Sequence, residues 1–525
     1  LETLQGDATA EQAKALGWKI GGAINPTENQ EENFDKNRLL DETGNELDPN
    51  NTDLTENTTY QVVDEQGNGY KFTYALNETN KTATITGYIG TPTSLIIPET
   101  IKVKQQNYIV TSIGDFAFYN YTDLMSIKLP DSLISIGMGA FAVCTGLTQI
   151  SIPDSVEEIG DFAFVQCANI TTLKLSNSLK LIGTRMFAEC TSLKSLEIPN
   201  GVTQLGFAPF DGCTSINSIV IPNSVTKIGV GAFQRCSNLS TIVIPNSVTT
   251  IERCAFALCT NLITVNLPDN LISIENNLFY GCSKLKSITI PNSVINFGDD
   301  VFDGCDDLLP STIENGIKYL GNSTNKFVVA WQILDASETS YYINEECKFI
   351  HSDCFKDSSI LSVTLPENVT SIGSSAFSNC ANLNIIEISG NLNRLGDSAF
   401  INCHNLEPSI LENGIKYLGN ESNKYIIALE TINGTTQVSY TIKEGCKFIY
   451  DSCFSHRKAE EIIIPDSAIS INYGAFQECS NLTTIAIPNN VKIISQYAFY
   501  RCSNLTTTIG DIGGNWVKVE DGSAV

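Results

Sequence analysis

The chain predicts an α/β solenoid in which coils of one short parallel strand and one helical turn stack along a common axis. Three observations predict it. Nine phenylalanines, Phe118, Phe141, Phe164, Phe187, Phe210, Phe233, Phe256, Phe279 and Phe302, are spaced by 23 residues without a slip, and a fixed period of that length is the mark of a stacked repeat. The phase returns at Phe355, Phe377, Phe400, Phe454, Phe476 and Phe499, so the array runs nearly to the end of the 525 residues. Twelve of the 17 cysteines also hold one position of the repeat.

One unit shows why the repeat folds. The segment Leu239-Ser-Thr-Ile242-Val-Ile244 puts Ile242 and Ile244 on one face by the two-residue period of a strand. Pro245 ends it, because proline lacks the N–H a ladder needs and the Asn-Ser that follows favours a turn. Val248 and Ile251 return to the core. In most units a glycine then follows (Gly114, Gly137, Gly160, Gly183, Gly206, Gly229, Gly298, Gly373, Gly396) and reads as the positive φ of a sharp bend. Glu252 and Glu275 in that place mark positive φ as favoured there and not obligatory. An Ala-Phe-x-x-Cys helical turn closes the coil. No unit buries its apolar face alone, so stacking of parallel strands at about 4.8 Å makes the core.

The repeated cysteines are Cys144, Cys167, Cys190, Cys213, Cys236, Cys259, Cys282, Cys305, Cys380, Cys403, Cys479 and Cys502. There is no Cys-x-x-Cys pair and the total is odd, which argues against metal binding and a disulfide framework. Each thiol reads as a small buried residue that caps a rung and donates weakly to a backbone carbonyl. Many free thiols suit a reducing or anaerobic setting.

The unit Ile-Pro-Asn-Ser-Val-Thr-x-Ile-Gly-x-x-Ala-Phe-x-x-Cys-Ser-Asn-Leu, at 221 to 239, resembles the BspA-like leucine-rich repeat of bacterial and protozoan surface proteins. The resemblance covers residues 92 to 508, with Pro, Gly, Phe, Cys and Leu agreeing in phase. It implies a right-handed leucine-rich-repeat solenoid with parallel strands on the concave face, displayed outside the cell for adhesion to host proteins or other microbes. It carries no catalytic residue over to this chain.

The solenoid is expected over 111–508, with two inserts near 311–346 and 409–445. The inserts are copies: Asn315 to Asn322 recurs as Asn413 to Asn420, and Cys-Lys-Phe-Ile at 347 recurs at 446, a block of about 98 residues. Their apolar runs, Phe327 to Leu334 and Tyr425 to Ile432, read as two or three antiparallel strands projecting from one flank, with re-entry at Ile350 and Ile449. Each re-entry turn lacks the repeated cysteine. Residues 63–110 read as an N-terminal β cap whose hairpin covers the first rung. Before it, 1–62 is either a small β module or an acidic linker, with a short helix from Ala8 to Leu16 ended by Gly17. Gly17-Trp18, Asp41 to Asn45 and Leu54 to Tyr60 resemble small β modules of Gram-positive surface proteins. Residues 509–525 form a tail without a sorting motif.

A net charge of −26 and a pI near 4.5 make nucleic acid and anionic membranes poor partners. No run of about 20 apolar residues is present to span a bilayer as a helix. The start at Leu1, without a signal peptide, reads as a trimmed or mature form of an extracellular, cell-surface or secreted protein. His351, His404 and His456 lie in corresponding or near-corresponding turns, and the copy of His351 is Tyr450, which argues for a tolerant structural position. Asp299, Asp300, Asp303, Asp306 and Asp307 read as a solvated edge and not a Ca²⁺ loop, since their spacing fits no EF-hand. The turn at Asp41 also fails that template, with Glu46 where glycine belongs.

Outward strand positions run Gln149 and Ser151, Thr172 and Lys174, Ser195 and Glu197, Ser218 and Val220, Thr241 and Val243, Thr264 and Asn266, Ser287 and Thr289. They are mostly small and hydroxylic, whereas protein hot spots favour Trp, Tyr and Arg. The face therefore suits something flat and polar, such as a glycan, or else contact falls on the inserts and flanks. The expected function is a surface-displayed binding or adhesion protein contacting a host extracellular protein, a glycan or another microbial surface. No catalytic, cofactor or metal site is expected, and the chain is expected to be a monomer. The alternative is the non-catalytic scaffold of a larger secreted enzyme.

Overall fold

The computed structural model describes residues 72–103, 106–432 and 437–506, together with the backbone of two-residue strands at Val62–Val63, Gly69–Tyr70, Val519–Glu520 and Ser523–Ala524. The expectations for 1–61 and for most of the C-terminal tail lie outside the described residues. The chain divides into two compact units, 1–288 with 301–308, and 289–300 with 309–525.

In the first unit every coil contributes to two parallel ladders. The first is built of short strands such as Ser195–Glu197, Ser218–Val220, Thr241–Val243 and Thr264–Asn266, with Ile242 opposite Val265 and Thr241 opposite Thr264. The second is built of two-residue strands such as Lys227–Ile228 and Thr250–Ile251. Between the ladders the proline turn closes as the sequence predicts, with the Val248 N–H donating to the Pro245 carbonyl at 3.0 Å. Ile242, Ile244, Val248 and Ile251 are buried, and Thr241 and Val243 face out.

The third side of the coil departs from expectation: among the described residues there is no helix. In the coil of Phe233, the N–H groups of Gly231, Phe233 and Arg235 donate to Arg253, Ala255 and Ala257 of the next coil, at 2.8–3.0 Å. The N–H groups between them close tight turns on residues three back, as Gln234 does on Gly231 at 3.0 Å. Two residues per turn sit in the left-handed region, for example Phe162 (φ 60°) with Gln166 (φ 57°) and Cys254 (φ 57°) with Leu258 (φ 60°). A helix sends each N–H to the carbonyl four residues back. Here the left-handed residues turn alternate N–H groups outward to the neighbouring coil, so a ladder replaces the helix. The conformation costs roughly 1–2 kcal/mol for a residue with a Cβ, and the bond to the next coil offsets it.

The glycines after the second ladder also have a different cause. Gly137, Gly160 and Gly229 adopt ordinary backbone angles, not positive φ. A Cβ added there would lie 2.6 Å from the Asp115 N, 2.4 Å from the Met138 N and 2.2 Å from the Gly206 carbonyl oxygen. Space, not φ, requires them. Where Glu252 takes the place, its carboxylate accepts the Val230 N–H at 3.1 Å and pairs with Lys227 at 2.9 Å.

The nine evenly spaced phenylalanines form one stack, with neighbouring centroids 5.3–6.0 Å apart and rings within 13° of parallel. Beside it each of the twelve repeated cysteines donates its Sγ–H to the carbonyl of the phenylalanine one coil back, from Cys144 to Phe118 (3.0 Å) through Cys236 to Phe210 (3.2 Å) to Cys502 and Phe476 (3.0 Å).

The second unit holds two shorter stacks, Phe355 with Phe377 and Phe400, and Phe454 with Phe476 and Phe499. An insert precedes each. In the first, Thr312–Glu314, Ile317–Leu320 and Val329–Ile333 pair antiparallel as predicted. They do not project from a flank. Val329 and Ala330 pair in parallel with Phe349 and Ile350, so the insert lies in line with the second ladder, while Ser340–Tyr342 opens a new first ladder. The second insert repeats the plan, with Ile427–Thr431 running onto Phe448–Ile449. The first unit begins likewise: Phe72–Asn77 pairs antiparallel with Thr82–Tyr88, which runs in parallel onto Gln106–Ile113. Hence the predicted cap and the two inserts are one element used three times. By strand register Phe72-Thr73-Tyr74 corresponds to Ile317-Lys318-Tyr319 and to Ile415-Lys416-Tyr417, each with a bulge just before the buried tyrosine. Tyr341 and Tyr440 close the top of their stacks edge-on to Phe355 and Phe454, at 5.4 and 5.3 Å.

Phe233→Ala should destabilise the first unit by about 3–5 kcal/mol, because it opens a cavity in a core one ring wide; denaturant melts measure it. Deleting residues 409–445 should leave the coils of Phe454, Phe476 and Phe499 unable to hold their fold. Limited proteolysis should then cut at once within 446–506, whereas a protected segment would show that the insert is no cap.

Candidate binding surface

The first ladder points one side chain of each pair into the core and the next outward, so its outward residues form columns at coil spacing, about 4.8 Å. Gln149 stands opposite Thr172, Ser195 opposite Ser218, and Thr241 opposite Thr264. Ser94 and Ser126 share a hydroxyl hydrogen bond of 2.9 Å. Along the first unit the second column changes character, from Lys128 and Lys174 through Glu197 to Val220 and Val243, which are 73% and 71% exposed. At the basic end lies a groove of about 720 Å³ lined by Lys128, Asp131, Gln149, Asp154, Thr172 and Lys174. Lys174 and Asp154 approach to 3.9 Å, and the Asn177 N–H holds the Asp154 carboxyl below its usual range.

In the second unit the corresponding face carries Ser340 and Tyr342, Ser362 and Thr364, Ile385 and Glu387. Tyr342 and Ile385 are both 57% exposed. Sequence reasoning missed Tyr342, since the insert hides the phase; the alternation of Ser340, Tyr341 and Tyr342 is the signal that carries it. Trp331 of the insert is half-buried, with the Lys318 ammonium 5.6 Å from its ring centre.

The residues weighed for chemistry fall apart. His351 is buried in the place a glycine takes in other coils. Its Nδ1 sits 2.8 Å from the Ser352 carbonyl, and burial lowers its pKa, which favours the neutral ring. His456 is exposed at a left-handed position, 3.0 Å from Glu478, and His404 is exposed in another turn. Asp299 accepts the Ser374 N–H at 2.8 Å and pairs with Arg394, while Asp306 and Asp307 face solvent. Among the described residues no group of three or more His, Cys, Asp or Glu is placed to hold a metal ion.

One polar cluster was not legible. Asp211, 1% exposed, accepts both Nε and Nη2 of Arg235 at 2.8 Å and pairs with Arg185 at 3.3 Å; Arg235 reaches Glu189 at 3.1 Å. It staples three coils on the turn side, away from the outward columns.

The profile of the BspA type leucine rich repeat region matches residues 111–240, 229–328, 335–446 and 447–513. No curated protein matches the chain. Among solved structures, it is similar to a leucine rich cell surface protein of Faecalibacterium prausnitzii (28% identity over 71% of this chain and 98% of that one, TM-score 0.44). It is also similar to a leucine-rich repeat protein of Bacteroides ovatus (21% identity over 81% and 98%, TM-score 0.40).

Burial pushes the thiols of Cys144, Cys190 and Cys259 up to about 12. Every cysteine but Cys403 is buried, so a thiol reagent should leave the folded protein almost unlabelled at neutral pH and label most of its 17 cysteines in denaturant without reductant. Intact mass counts the labels. Asp211→Asn should cost about 2 kcal/mol, less than for a fully buried pair because Arg235 is partly exposed; thermal melts at matched salt read it.

Proposed function

Because the chain belongs to the BspA-type leucine-rich repeat family, we propose that it is an extracellular, surface-displayed binding protein. On this reading it works as a monomer and without catalysis. The outward face of its first ladder holds a host protein, a glycan or another microbial surface. What supports the reading is a long row of exposed hydroxyl-bearing side chains fixed on paired strands, in a family of repeat proteins whose fold class is non-catalytic. Serine and threonine lose little rotamer freedom when they bind, and each hydroxyl both donates and accepts. A single coil binds weakly. Many coils at one spacing add their contacts along a polymer or a repetitive surface, which raises the effective concentration of each successive contact. A net charge of −26 favours neutral or cationic ligands over polyanions. No helix among the described residues is long and apolar enough to cross a membrane.

The test is an array of glycans and extracellular-matrix proteins probed with the whole chain, followed by the same measurement on a Thr241→Arg, Thr264→Arg double variant. Both residues are exposed, so the melt should be unchanged while affinity for the array hit falls about tenfold or more, roughly 1.4 kcal/mol. Undiminished binding by the folded variant would place the contact elsewhere.

A further inference from the structure

Inside a stack, the N–H groups on the turn side reach the backbone carbonyls of the next coil: Ser375 donates to Asp397 at 3.0 Å and Phe377 to Ala399 at 2.8 Å. At Phe400 the second stack ends and the chain enters a cap. There the Phe400 N–H goes to the Tyr450 hydroxyl at 2.7 Å and the Ser398 N–H to Asp451 Oδ2, which also accepts the Ser398 hydroxyl at 3.2 Å. Two side chains from the first coil after the cap thus stand in for missing carbonyls. The same joint is tied by Asn472 Nδ2 to the Leu395 carbonyl (3.1 Å), and by Ser495 Oγ (2.9 Å) and the Tyr473 N–H (3.3 Å) to Asp397.

The duplicated block offers a comparison within the second unit. One copy earlier, Asp300 donates its N–H to the Ser352 hydroxyl at 3.0 Å, and Asp299 is matched by the Arg394 guanidinium. In the later copy aspartate and serine have changed places, as Ser398 and Asp451, while Asp397 corresponds to Asp299. Arg394 faces Asp397 but is bound by Asp299, so the later joint brings two carboxylates together against hydroxyl and amide donors.

We propose that the joint between Phe400 and Tyr450 responds to pH, closed while Asp451 carries a proton and loosened when it ionises. Burial first, and then the charge of Asp397, push the Asp451 carboxyl up to about 7 against the Ser398 donors; burial also raises Asp397. The other groups facing the pair are Tyr450, whose phenol is raised by burial, and Asp299 and Arg394 on the Asp397 side. An unfolded aspartate titrates near 3.9. A folded value above it stabilises the closed joint fully below that pH, and the contribution is lost as pH rises through about 7. The joint is tight in mild acid and loose in mild base.

Amide hydrogen exchange on the full chain tests this at Ser398 and Phe400, corrected for the intrinsic pH dependence of exchange. Protection should fall about tenfold or more between roughly pH 5.5 and pH 8 in the wild type, and less than about twofold in Asp451→Asn. The amides of Asp300 and Phe377 serve as references and should hold in both. If Asp451→Asn does not fold, Asp397→Asn replaces it: removing the neighbouring charge lowers the Asp451 carboxyl toward its unfolded value, so the fall in Ser398 protection between roughly pH 5.5 and pH 8 should shrink below about threefold. Equal protection of wild-type Ser398 and Phe400 at the two pH values, or an undiminished loss in the variant that folds, would overturn the proposal.

Discussion

Everything in this chain depends on amide protons passed from coil to coil. On the turn side Gly231, Phe233 and Arg235 donate to the next coil and not along their own, so successive coils must keep one register there and hold nearly one length. The period of 23, shortened to 22 between Phe355 and Phe377 and between Phe454 and Phe476, follows from that demand. So do the left-handed residues that aim the N–H groups, and the glycines that let backbones approach within a carbonyl's reach. The phenylalanine ring fills the space inside each turn and meets its copies at stacking distance. The cysteine gives the phenylalanine carbonyl a second donor while staying small and apolar.

A ladder of this kind has a first coil with no neighbour, and that coil would expose its ring and its strand edges. The antiparallel hairpins solve the problem three times with one design. Their last strand runs parallel to the coil that follows, so they present to it the edge a coil would present. A cap in mid-chain has a cost: the coil before it loses the carbonyls its own N–H groups would have used. Tyr450 and Asp451 supply oxygen atoms in their place.

Spacing made much of this legible. The phenylalanines, the buried isoleucines of each strand, the proline corner and the thiol-to-carbonyl bond could be read because each is fixed by one residue type at one phase. The turn could not. Ala-Phe-x-x-Cys has the local look of a helical turn, and only the neighbouring coil reveals that Gln166 and Leu258 are left-handed. The glycines misled for the same reason, since what excludes a Cβ at Gly229 is the backbone of Gly206, a full period away. The kinship of cap and inserts was masked because the shared register leaves only the buried tyrosine, Tyr74, Tyr319 and Tyr417, in common while the strands around it have diverged. For the binding face, the hydroxyl columns of the first unit were legible; Tyr342 was not, because it lies beyond an interruption of the period.

The mid-chain caps also bear on how such a chain can change through time. Within a stack, gain or loss of one coil leaves every register intact, so the fine step in length is 22 or 23 residues. A block that begins with its own cap brings its own protected end, as the copy from Asn315 to Asn413 did, so a coarse step of about 98 residues is open as well. Recombination between repeats of this gene therefore has two lattice constants on which its products still fold, and a length that is no whole number of coils or blocks is closed to it.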